Sequence, residues 1–168
     1  MDPITIAILA GTIGGGAILI VAFWPYIVHF FSMHLIPWVR EVVSDSAADA
    51  IADVISFVDN KVTGVRSLTK SAYKAFRETL LGCKTVYEKT GPNIVQTETT
   101  ALVRNAAGEL AAETVKTILK WDDLPNNIRE EMIRQNQTKG EINVKSEVEN
   151  RVRQVAEDNN MLEILQES

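Results

Sequence analysis

At 168 residues, with one cysteine and a formal net charge of −5, the chain has room for one modest domain besides any membrane segment, and not for two. Cys83 alone excludes an internal disulfide and offers no metal site, so no cofactor and no metal are expected. The charge is unevenly spread. From Lys61 to Lys89 there are seven Lys or Arg against two acids, Glu78 and Glu88, whereas the last third is acid-rich. That asymmetry predicts one anion-facing region in a mildly acidic protein.

No Lys, Arg, Asp or Glu lies between Asp2 and Arg40. Ile4 to Trp24 is one apolar run, IAILAGTIGGGAILIVAFW in its central part, and about 20 such residues suffice to cross a bilayer. A cleaved signal peptide would begin with a basic segment and end at small residues. Here the start is Met-Asp-Pro and the end Phe23-Trp24-Pro25-Tyr26, which suits a retained anchor with interfacial aromatics. The basic residues after the run place a short N-terminus outside and the rest in the cytoplasm, at the inner membrane of a cell. Membrane lipid is then a partner. Ala7, Gly11 and Gly15, spaced by four, form a candidate helix–helix contact for a homo-oligomer.

Residues 27–43 are apolar nearly all round, with His29, Ser32 and His34 as interruptions. They are expected to continue the span or lie in the interface, bent near Pro25 or Pro37. Ser44-Asp45-Ser46 offers caps for a long amphipathic helix to about Leu81. Its seam of Ile51, Ile55, Val58, Val62, Val65, Ala72 and Phe76 misses one beat at Thr69. Arg66, Lys70, Lys74 and Arg77 recur on one face, with Tyr73 at its margin. Such a face is either solvated or meets a polyanion, and this set is the candidate ligand-binding site, with Tyr73 able to stack on a base.

From Cys83 the composition turns to Thr, Val, Ile and Tyr, with turn signals at Gly91-Pro92-Asn93 and Asn105 to Gly108. Three antiparallel strands are predicted at about 83–89, 94–104 and 110–121, the third also having fair helix propensity. Val95, Thr97, Thr99, Ala101 and Val103 share one side, Gln96, Glu98, Thr100 and Thr114 the other. Trp121 is expected to be buried behind the third strand. Asp122 to Pro125 starts a helix running to about Gln135. Glu141 to Val144 suggests an edge strand, and Ser146 with Glu149 a capping box for a last helix over 146–158.

The fold class expected is α+β: an N-terminal transmembrane helix, a long amphipathic helix, a small antiparallel meander and C-terminal helices. The blocks would be 1–43, 44–82 and 83–168. No nucleophile, base or nucleotide fingerprint comes together in the sequence, so the chain does not read as an enzyme.

The string WDDLPNNI at 121–128, the Thr-rich hairpin before it and IPWVR at 36–40 resemble small bacterial membrane effectors of anti-phage defence. The channel component of Hailong systems, held closed by a DNA oligomer, is the type they are most similar to. That resemblance implies a tetrameric ion channel gated by an oligonucleotide or nucleotide messenger, with a nucleotidyltransferase encoded alongside. It carries over no functional residue. The alternative is a membrane-anchored structural or adaptor subunit that docks a larger partner.

Overall fold

The computed structural model describes residues 24–59, 67–124, 126–134 and 139–166. By internal contacts the chain divides into two units, each drawn from separated stretches. One holds residues up to Phe30 with Cys83–Thr100 and Thr114–Val144; the other holds Phe31–Gly82, Ala101–Glu113 and Lys145–Ser168. The partition does not follow the consecutive blocks 1–43, 44–82 and 83–168.

In the second unit, a π turn at Phe31–Leu35 leads into helix α1, Ile36–Val42. Pro37 explains the π turn. Proline lacks the N–H that would bond back into the preceding turn, and its ring crowds the carbonyl four residues earlier. The wider π winding just before it relaxes both conflicts. Phe31, Leu35 and Val39, each fully buried, form one ridge along this segment. The π turn and α1 both pack on helix α2, Asp45–Val58.

Among the described residues, no helix is long and apolar enough to cross a membrane. The expected N-terminal transmembrane helix is therefore not supported, nor are the membrane, ion-channel and inner-membrane assignments built on it. The described part of the apolar stretch has a different explanation: its ridge is covered by α2 rather than by lipid, and a helix apolar on most faces is as characteristic of a protein core as of a bilayer. The run from Ile4 to Phe23, with Ala7, Gly11 and Gly15, lies outside the described residues.

Ser44 caps α2, its Oγ accepting from the Ala47 N–H at 3.0 Å. Ala47, Ala48, Ala50, Ile51, Val54, Ile55, Phe57 and Val58 are all buried, leaving Asp49, Asp53 and Ser56 as the solvated stripe. This face is wider than a coiled-coil seam, and it makes α2 the centre of its unit. Each fully buried Val, Ile or Phe contributes roughly 1.5–3 kcal/mol of transfer free energy. α2 ends at Val58, so the single helix expected over 44–82 is corrected to two. Helix α3, Lys70–Thr79, has its own cap: Thr69 Oγ1 accepts from the Ala72 N–H at 3.0 Å. The beat missing at Thr69 marks a helix start. α3 packs on α2 and on the closing 3-10 turn Leu162–Leu165, whose Ile164 is buried.

The sheet has four strands: β1 Leu80–Gly91, β2 Ile94–Arg104, β3 Leu110–Lys120 and β4 Lys139–Asn143, in the order β3-β2-β1-β4. The third segment, for which helix and strand propensities compete, is a strand because β2 supplies its partner. Thr100 and Thr114 hydroxyls meet at 3.0 Å across that pair, as Thr85 and Thr99 do at 2.8 Å across β1 and β2. β1 pairs antiparallel with β4, setting Val86 opposite Glu141, Tyr87 opposite Gly140 and Glu88 opposite Lys139.

The hairpin turns are fixed by asparagines. Asn93 accepts from the Trp121 N–H through its carbonyl (3.2 Å) and from the Asp122 N–H through Oδ1 (2.9 Å). Asn105 Oδ1 accepts from the Ala107 and Glu109 N–H groups, each at 2.9 Å, around Gly108 at φ +84°, a conformation that favours glycine. Trp121 is largely though not fully buried, in line with its expected burial behind the third strand. It opens the 3-10 turn Trp121–Asp123, with the Lys89 ammonium 5.0 Å from its ring centroid. Helix α4, Asn126–Arg134, follows that turn, and helix α5, Val144–Asp158, continues directly from β4.

Candidate functional site

The basic residues of α3 do not form one open stripe. Tyr73, three residues before Phe76, points inward with it: Tyr73 is 5% exposed and Phe76 0%, with their rings stacked at 6.2 Å. The Arg77 guanidinium lies over the Tyr73 ring, 4.9 Å from its centroid. Lys145 on α5 donates to the Arg77 carbonyl at 3.3 Å. Burial first, then the Glu149 charge, pushes the Tyr73 hydroxyl above its ordinary acidity range, partly offset by Arg77 and Arg153. The ring expected to stack on a base is thus covered. Lys70 is half-buried and Lys74 exposed, while Arg66 lies outside the described residues.

Sequence reasoning missed Lys145, Glu149 and Arg153. The signal was available: Val144, Val148, Val152 and Val155 are buried at steps of four, four and three, so the adjoining positions form a second stripe on the same helix. What periodicity could not supply was the pairing of that stripe with Tyr73 and Arg77.

The sheet shows a different surface. Because side chains alternate, Val86, Glu88, Gln96, Glu98, Lys116 and Ile118 lie on one face. With Lys139 and Glu141 they line a cleft of about 690 Å³. Lys84 meets Glu141 at 3.7 Å and Lys116 meets Glu98 at 4.0 Å, all four side chains being well exposed. Such pairs add little stability and act mainly to set polarity. The opposite face is closed: Val95 is fully buried, Tyr87 is 2% exposed and Cys83 4%.

At one end of this sheet β3 is an edge strand. It runs for 11 residues without Pro or Gly, and two of its apolar side chains are open to solvent, Leu110 at 62% and Ile118 at 69%. No strand among the described residues pairs with its outer side. A long edge of this kind presents unpaired N–H and C=O groups as a template for another strand.

Burial pushes the Cys83 thiol up to about 12, which keeps it protonated and unreactive at neutral pH. No group of three or more His, Cys, Asp or Glu among the described residues could hold a metal ion. No family model, no curated protein and no solved structure matches the chain.

Proposed function

We propose that the chain is a docking subunit, holding a partner protein by adding a strand of that partner to the outer edge of β3. The observation that carries this reading is the edge itself: eleven residues free of Pro and Gly, with Leu110 and Ile118 exposed beside an open cleft. Strand addition draws affinity from main-chain hydrogen bonds and selectivity from pockets for alternate side chains. Ile118 and Val86 offer the apolar part of such a pocket, Glu98 and Lys116 the polar part.

The test is a photo-crosslinking amino acid placed in cells at Ala112 on β3 and, as a control, at Asn150 on α5, both exposed positions. Adducts of discrete mass at Ala112 alone are expected. Lys116→Pro, which removes an N–H on the outer side of β3 and crowds the added strand, should abolish them. Equal labelling at both positions would refute docking at this edge.

A second reading has a specific observation behind it. α5 adds Lys145 and Arg153 to the basic set of α3: Lys145 donates to the Arg77 carbonyl, and Arg153 acts on the Tyr73 hydroxyl from the same helix. The two helices together carry near-equal numbers of bases and acids, so a polyanion such as an oligonucleotide would be held by this local cluster, through its phosphates and without a stacking role for Tyr73. Binding to single-stranded DNA should then fall steeply with salt and be lost in Lys70→Glu/Lys74→Glu. Salt-insensitive binding, or none at low salt, would leave the docking reading alone.

A further inference from the structure

Resting on the docking reading, we infer that the strand received by β3 is β3 of a second copy of this chain, paired antiparallel about a two-fold axis at Val115. An antiparallel pair of identical strands can join around a two-fold axis perpendicular to the sheet. Facing residues then share a face, and each residue meets one equally far from the centre. The register that pairs all eleven residues of Leu110–Lys120 is the one centred on Val115.

This register is also the one the side chains favour. On the cleft face it sets Ile118 against Ala112 of the second copy, Lys116 against Thr114 and Lys120 against Leu110. On the other face it sets Val115 against Val115, Leu119 against Ala111 and Glu113 against Thr117, a hydroxyl able to donate to the carboxylate. No like charges are directly opposed. Moving the centre to Glu113 or to Lys116 puts a like pair on the axis itself, and moving it to Thr114 puts Glu113 against Val115. Ile118, at 69% exposed, gains cover in the favoured register from each copy in turn.

The other end of the sheet is unsuited to this. β4 has five residues and carries Lys139 and Glu141 on the cleft face. Short, charged edges discourage further pairing.

An axis residue gives a test that other interfaces would not pass. Val115 is half-buried, so circular dichroism must first show that the charged replacements fold as the parent does. In sedimentation analysis of the purified full chain the parent should be dimeric. Val115→Glu and Val115→Lys, each placing like charges on the axis, should weaken dimerisation at least about ten-fold, and an equimolar mixture of the two should restore it. A parent that is monomeric at the highest soluble concentration overturns the self-pairing, as do variants that dimerise like the parent or a mixture that fails to recover. If self-pairing fails while Ala112 still crosslinks to a different protein, only the identity of the occupant was wrong. If Ala112 gives no adduct either, docking at β3 fails with it.

Discussion

β4 and β3 close the two ends of one sheet. On the face opposite the cleft Ile142 of β4 is 1% exposed, whereas Val115 and Leu119 of β3 are only half-buried; on the cleft face Ile118 of β3 is 69% exposed. β4 is short, and its register with β1 puts Gly140 opposite Tyr87. A Cβ at Gly140 would run into the Tyr87 ring and hydroxyl, so glycine is what lets the tyrosine lie across that end of the sheet. β3 is twice as long and no comparable lid covers it among the described residues. One end of the sheet is sealed by a side chain, and the other is left to be completed by another strand.

The strongest way to break this contrast is to unseal the β4 end. Tyr87→Ala should cost about 3–5 kcal/mol, the range for deleting a large buried aromatic. Gly140→Ala should cost about 1–3 kcal/mol by overpacking against the ring. Denaturant unfolding of both variants checks the order. Tyr87→Phe separates ring from hydroxyl. That hydroxyl is buried without a hydrogen-bond partner, so its loss should be neutral or stabilising. If Gly140→Ala were as stable as the parent, the sealed end would not be tightly packed.

Much of this sheet was legible in the sequence. Val95, Ala101 and Val103 are buried, Gln96 is exposed, and the Ser44 cap is where a capping side chain was expected. The legible features are local ones, set by alternation and by hydrogen bonds a few residues long. What failed depended on which neighbour an apolar or aromatic residue meets. The segment 27–43, with Phe31, Leu35 and Val39, read as a continuation of the span or as an interfacial helix because hydropathy does not distinguish lipid from the flank of α2. Tyr73 read as an open platform because the helical period gives its angle but not the approach of α5.

A pH series sharpens the contrast from the buried side. The Cys83 thiol has an ordinary value near 9.0 and is raised by burial to about 12 in the folded chain. The folded state therefore holds its proton more tightly than the unfolded state. The contribution is fully present below about pH 9 and is lost as pH rises towards about 12. Tyr87, raised by burial from its ordinary value of 10.0, acts in the same direction at slightly higher pH. The urea midpoint should fall from about pH 9 towards about pH 12, and Cys83→Ala should flatten the early part of that fall. A thiol reagent at neutral pH should label the native protein slowly and the denatured protein at once.

The smallest expected effect concerns the open end, and its smallness is the point. Ile118→Lys exchanges an exposed β-branched residue for one that still extends along a strand but carries a charge. On a side chain already 69% exposed, little apolar area is removed from contact with the protein, so the change in folding stability should stay within about 0.5 kcal/mol. The same substitution places a cation at the edge, next to Lys116 and Lys120 on the cleft face, which is the usual guard against strand addition. Stability and association should therefore separate: an unchanged urea midpoint, measured on dilute protein, with weaker association through β3. If Ile118→Lys instead lowered stability by more than about 1 kcal/mol, Ile118 would be packed in the folded chain. The edge of β3 would then be closed, and the difference between the two ends of the sheet would be one of degree.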